Sequence, residues 1–209
     1  RHTRYWRDWS SDVCSSDLLN LLGELKLDSF CLYDSPFGGH PESLTVSAIE
    51  FSTGSLGHGL PVAVGLAKAA KLKNKSWRVF VLVGDGELNE GSVWEAAAHA
   101  AKHGLDNLIV IVDVNNMQAF GDTNQVLDLE PLTDKWQAFG FSTVEINGHD
   151  FNSIHESLNF KVTPNKPKCI LAHTIKGKGI PEAENSAQWH HKAKISIEEL
   201  MRLKRGLMS

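Results

Sequence analysis

Two unbroken apolar runs constrain this chain more than any other feature. "WRVFVLV" (Trp77–Val83) and "NLIVIVDV" (Asn107–Val114) are rich in β-branched residues and almost free of polar interruption. A strand with one wet face alternates apolar and polar residues. A continuous run instead fits a parallel strand covered on both faces. Two parallel neighbours need a long crossover between them, and the intervening "EGSVWEAAAHAAKHG" (Glu90–Gly104) supplies a helix. Ser92-x-x-Glu95 predicts a capping box at its start. Gly104, preceded by Lys102 and His103, predicts its end. Strand, helix and strand then close as a right-handed parallel unit.

The rest of the chain repeats this alternation. "STGSLGHGLPVAVGLAKAAKLK" (Ser52–Lys73) predicts a buried helix from about Leu56 to Leu72, with Pro61 tolerable only near its start. Helices follow over Leu132–Gly140 and Asp150–Phe160, with strands over Phe141–Ile146 and Lys168–Ile175. Ser196–Leu207 predicts a closing amphipathic helix, Leu18–Leu27 the tail of another, and Ser35–Glu42 a loop rich in Pro and Gly. The expected fold is α/β: a doubly wound, mostly parallel sheet with helices on both faces. A length of 209 residues suits one such domain.

That domain is expected over residues 19–209. The opening "RHTRYWRDWSSDVCSSDL" has no initiator Met and no helical or strand period. It reads as translated foreign DNA joined to a shortened gene, with a disordered native leader as the alternative. Residues 1–18 are set outside the fold on that ground.

Composition removes several classes of function. A net charge of -4 and a pI near 6.2 argue against a nucleic-acid surface. Cys14, Cys31 and Cys169 are too scattered for a zinc site or a disulfide framework, so a reduced, cytoplasmic setting is expected. No apolar run reaches membrane-spanning length and no signal peptide is visible, so no membrane is expected.

In open parallel sheets, ligands bind beyond the carboxyl ends of the strands. Gly84-Asp85-Gly86 leaves the end of the first apolar run, and Asn115-Asn116 leaves the end of the second. The crossover therefore makes neighbours of Asp85 and Asn115, which are 30 positions apart in the chain. One carboxylate and one amide oxygen suit a Mg²⁺ or Ca²⁺ ion that also takes phosphate oxygens and water. Glycines let backbone N–H groups approach a phosphate, and a helix N-terminus near Ser92 favours anions. A metal–diphosphate site follows. The plainer alternative is a tight turn in which Asp85 and Asn115 cap backbone groups.

The wording of these loops resembles one family. Gly84-Asp85-Gly86, then 28 residues, then Asn115-Asn116 looks like the thiamine diphosphate motif. "GHPE" (Gly39–Glu42), "STGSLGHG" (Ser52–Gly59), "GDGELNEGSVWEA" (Gly84–Ala96), "INGHD" (Ile146–Asp150), "HTIKGKG" (His173–Gly179) and "WHHK" (Trp189–Lys192) resemble transketolase, in order. The resemblance implies thiamine diphosphate as cofactor, with Asp85, Asn115 and the Met117 carbonyl as metal ligands. It implies that Gly84 and Gly86 border the diphosphate, Gly86 through its backbone, and that Gly54 and Leu56 line the cofactor. His40 would meet the sugar near its reacting carbons. His190 would lie near the diphosphate and the substrate, where an imidazole suits proton transfer near neutral pH. Glu90 matches an acidic residue that links paired sites across a subunit interface; a solvated carboxylate is the alternative. His173 and Lys176 border the cofactor less securely. His58 stands where the family more often has Gln, so local hydrogen bonding is expected of it. His191 replaces the family's usual Gly. His2, His99, His103 and His155 are expected to be structural or surface residues.

The family activates its cofactor with a glutamate on a second, pyrimidine-binding domain, for which this chain has no room. It also shows no counterpart of the family's "KGH"-like histidine. The expectation is an N-terminal transketolase subunit in a hetero-oligomer, whose partner chain carries the pyrimidine-binding domain; an N-terminal fragment is the alternative. With that partner it would move a two-carbon ketol unit between sugar phosphates, and alone it would be inactive. Two further readings are an α-type subunit of a 2-oxoacid dehydrogenase, against which "GHPE" and "WHHK" argue, and a catalytically silent cofactor-binding subunit.

Overall fold

The computed structural model describes residues 4–6, 32–38, 40, 42–46, 49, 51–159, 163–190 and 195–207. Its centre is a five-stranded sheet in which every neighbouring pair runs parallel. The strands are β1 (Arg4–Trp6), β2 (Val79–Gly84), β3 (Leu108–Val114), β6 (Ser142–Asn147) and β7 (Lys168–His173), in the order β1-β2-β3-β7-β6. A two-stranded antiparallel ribbon, β4 (Met117–Gln118) and β5 (Gly121–Asp122), follows β3. The helices are α1 (Gly59–Leu72), α2 (Gly91–Lys102), α3 (Thr123–Leu127), α4 (Leu132–Ala138), α5 (Phe151–Asn159) and α6 (Ile197–Leu207).

The apolar runs are unbroken because both sheet faces are covered. Successive side chains on a strand point to opposite faces. Val79, Val81 and Val83 of β2 and Leu108, Val110, Val112 and Val114 of β3 enter the larger core. There they pack on Leu60, Val64 and Ala67 of α1, on Ala97 and Ala100 of α2, and on Trp136 of α4. The alternate residues Phe80 and Ile109 turn the other way and join Ile170 of β7 and Leu158 of α5. The doubly wound parallel sheet expected from the sequence is therefore the fold.

Element boundaries move where tertiary contacts intervene. α1 starts at Gly59 rather than Leu56, because Gly54 (φ +126°) and Gly57 (φ +78°) hold the preceding loop out of helical geometry. β1 falls within the opening stretch set aside on sequence grounds, and pairs Arg4–Trp6 with Val79–Val81. The helix expected over Leu18–Leu27 lies outside the described residues. Among those residues, no helix is long and apolar enough to cross a membrane.

Candidate functional site

The ends of β2 and β3 face the same sheet edge. Gly84 pairs in register with Asp113, and Val114 with His173 of β7. Asp85 and Asn115 thus leave adjacent strands side by side. The Asp85 backbone N–H donates to the Asp113 carbonyl at 3.1 Å. Its side chain is buried, with Oδ1 accepting from the Gly86 N–H at 2.8 Å and Oδ2 from the Asn116 N–H at 2.6 Å. Asn116 can present that N–H because it adopts φ +61°, a conformation asparagine tolerates better than most residues. The Asn115 side chain is fixed at both ends. Its Nδ2 donates to Asp113 Oδ2 at 3.1 Å, and its Oδ1 accepts from the Met117 N–H at 3.0 Å.

Both side chains therefore cap backbone, as the plainer sequence reading had it, and they do so at one edge. Capping leaves lone pairs over, since a carboxylate can accept about four hydrogen bonds and an amide oxygen two. Burial pushes the Asp85 carboxyl above its ordinary range; the N–H groups of Asn116, Gly86 and Asn115 oppose the rise, and the nearby Asp113 charge adds to it. A cation at this edge would offset both the burial and the repulsion. The donor set fits a hard divalent ion: one carboxylate, one amide oxygen and one backbone carbonyl, with the remaining positions left for phosphate and water. Among the described residues, no group of three or more His, Cys, Asp or Glu side chains offers a rival cage.

Gly86 has a reason beyond phosphate approach. A Cβ on it would lie 2.7 Å from Gln118 Cβ, so only glycine lets the β4 ribbon close against the Gly84–Gly86 turn. Gln118 Oε1 accepts from Asn89 Nδ2 at 3.4 Å, and its buried Nε2 meets no acceptor among the described residues.

The loop before α1 is tied to this turn. Glu87 sits in the 3₁₀ turn Gly86–Asn89. Its Oε1 accepts from the Gly57 N–H at 2.8 Å and its Oε2 from the Gly84 N–H at 3.3 Å. Ser92 Oγ donates to the Gly57 carbonyl at 2.8 Å. This corrects the expected capping box. α2 begins at Gly91 with Glu90 as its N-cap and no side-chain cap bond. The Ser92 hydroxyl has a carbonyl from a distant loop within reach and serves that instead. Sequence reasoning also missed Glu87; its one signal was an acid directly after the Gly-Asp-Gly turn.

The exposed His40 ring, from an earlier loop, lies against Gly54, where an added Cβ would come within 2.8 Å of His40 Cγ. Leu56 is 58% exposed and its carbonyl bonds to His58 Nδ1 at 3.0 Å. His58 also meets Ser55 Oγ at 3.3 Å, so its hydrogen bonding is local, as expected. Glu90 is exposed where the 3₁₀ turn passes into α2. His190 follows the 3₁₀ turn Ala187–Trp189, half-buried, its N–H donating to Ala187 O at 3.0 Å. His173 pairs with Glu145 at 2.9 Å. Lys176 lines a cavity of about 460 Å³, together with Ile111, Asp113, Asn115, His149 and Thr174. His99 of α2 and His103, which caps its C-terminus, are surface residues that share Lys68 Nζ, at 3.4 and 3.1 Å, and His155 is exposed on α5. His191 and Gly39 lie outside the described residues.

The likeness to known proteins is broad. Residues 19–208 match the family described as transketolase, thiamine diphosphate binding domain. The chain is 47% identical over 174 residues to one of the subunits of the apulose-4-phosphate transketolase of Actinobacillus succinogenes, covering 80% of this chain and 63% of that one. It is 41% identical to the protein of the same name from Phocaeicola vulgatus, covering 85% of this chain and 60% of that one. The solved transketolase of Campylobacter jejuni superimposes with a TM-score of 0.81 at 34% identity, over 90% of this chain and 31% of that one. The match thus spans about three-fifths of the subunit relatives and about a third of the Campylobacter jejuni chain. With the domain matched from residue 19 to 208, this chain belongs to the transketolase family.

Proposed function

We propose that this chain is the N-terminal, thiamine diphosphate-binding subunit of a split transketolase. The observation that carries the reading is the convergence of Asp85, Asn115 and the Asn115–Met117 turn at one sheet edge, beside Gly86. Asp85, Asn115 Oδ1 and the Met117 carbonyl would hold Mg²⁺, or Ca²⁺ in its place. Gly86 would meet the diphosphate through its backbone, with Gly84 beside it, and Gly54 and Leu56 would line the cofactor. When bound, thiamine diphosphate supplies carbanion chemistry at its thiazolium ring. His40 and His190 would hold and move protons at the hydroxyl and carbonyl oxygens of a sugar phosphate. Glu90 would reach across the subunit interface.

The reaction is transfer of a two-carbon ketol unit from a ketose phosphate to an aldose phosphate. Two relatives are named as single subunits of an apulose-4-phosphate transketolase, which supports a partner chain; that partner would carry the pyrimidine-binding domain in a hetero-oligomer. Their names also make apulose 4-phosphate a donor to assay beside xylulose 5-phosphate. A cytoplasmic location suits such substrates.

Calorimetry with thiamine diphosphate and Mg²⁺, with and without the partner chain, tests the site. Asp85→Ala should abolish metal-dependent binding of the cofactor; unchanged affinity would falsify the site. A ketose phosphate and ribose 5-phosphate assay on the reconstituted pair tests the reaction. Binding without turnover there would favour a silent cofactor-binding subunit.

A further inference from the structure

Two loops from different parts of the chain build the proposed cofactor site, and they have to keep one spacing. The Gly84–Gly86 turn is fixed by the ends of β2 and β3. The Gly54–Gly59 loop leads into α1, of which Gly59 is the first residue, and has no strand of its own. The contact between them centres on the Gly57 peptide, which is gripped from both sides. Its N–H goes to Glu87 Oε1 at 2.8 Å and its carbonyl takes the Ser92 hydroxyl at 2.8 Å. The second Glu87 oxygen accepts from the Gly84 N–H at 3.3 Å, so one carboxylate bridges the two loops. Gly57 is also closely packed against the start of α2. An added Cβ would stand 2.6 Å from both Glu90 Cβ and Ser92 Oγ.

We propose that Glu87 is a positioning residue that locks the Gly54–Gly59 loop to the Gly84–Gly86 turn, setting the distance between the thiamine-lining and diphosphate-holding halves of the site. This inference rests on the function proposed above. The chemistry favours a carboxylate for the role. Two N–H groups converge on this side chain, and a carboxylate accepts from both. A carboxamide of the same shape has one acceptor oxygen and turns an NH₂ toward the other N–H. Glu87 acts through the backbone of Gly57 and Gly84, from whose N–H groups it accepts.

The test compares two probes on the full chain, by calorimetry in the presence of Mg²⁺: thiamine diphosphate and inorganic pyrophosphate. Pyrophosphate needs only the Asp85, Asn115 and Gly86 half, whereas thiamine diphosphate needs both halves. Glu87→Gln keeps the volume and removes one of the two bonds. It should weaken thiamine diphosphate about tenfold, the worth of one hydrogen bond to a charged group, while pyrophosphate affinity stays within about threefold. Ser92→Ala should shift the same ratio in the same direction, by less, because Glu87 still holds the Gly57 N–H. It also serves as the second variant should Glu87→Gln fold poorly. Equal loss of both probes, or loss of neither, overturns the inference. If the unaltered chain binds neither probe, the proposed function and this inference fall together. If it binds both and the variants leave their ratio unchanged, only the inference falls.

Discussion

Replacing Gly57 by alanine should destabilise this fold by about 3 kcal/mol, although it adds a single methyl group. Two costs add. At φ +78° a Cβ crowds its own backbone, at about 1–2 kcal/mol. The new Cβ would also stand 2.6 Å from Glu90 Cβ and Ser92 Oγ, and 3.0 Å from Glu90 Cγ. Glu90 Cβ is attached directly to the backbone at the α2 N-cap and cannot swing aside. Ser92 Oγ can rotate only by leaving the Gly57 carbonyl. Overpacking of this kind costs about 1–3 kcal/mol. The sum lowers the melting temperature by roughly 6–12 °C in a chain of this size. Gly65→Ala is the control. Gly65 lies on the exposed side of α1, and nothing stands within 4 Å of an added Cβ. Alanine there should stabilise by about 0.5–1 kcal/mol, because glycine is a poor helix former. Urea titration followed by circular dichroism reads both. A Gly57→Ala protein within about 1 kcal/mol of its parent would refute the account of this loop.

Burial raises the Asp85 pKa, so its protonated form is favoured in the fold. Its contribution to stability is fully present below the ordinary carboxylate range and is lost as pH rises through the raised folded value. In metal-free buffer, the stability of the parent relative to Asp85→Asn should therefore fall as pH rises from about 3.5; denaturant midpoints that move the other way would contradict this. Trp136 is fully buried, with its ring 5.3 Å from Trp94 and 4.8 Å from Phe141. Trp136→Ala should cost about 3–5 kcal/mol, and denaturation followed by near-ultraviolet circular dichroism would show an earlier transition with a smaller aromatic signal.

The amino-acid sequence by itself determined the parallel sheet and the adjacency of Asp85 and Asn115 at its edge. The runs at Val79–Val83 and Leu108–Val114 carry no polar alternation, and only strands covered on both faces can be built that way. Once they are parallel neighbours, Asp85 and Asn115 have to meet, because each leaves its strand at the same end. A helix stop such as Gly104, with its φ of +55°, was equally legible, since a C-terminal cap acts within a turn or two, whereas helix starts were not: α1 begins three residues later than expected. Tertiary structure alone decided how the site is held together. The Ser92 hydroxyl had two uses, a backbone N–H one turn away or the Gly57 carbonyl 35 positions back, and it took the second. Glu87 reaches an N–H 30 positions away, and Gly86 is required by a side chain that arrives with Gln118. Local rules cannot rank such partners. A polar group bonds whichever complement packing brings within about 3 Å, and that distance exists only after the sheet has formed.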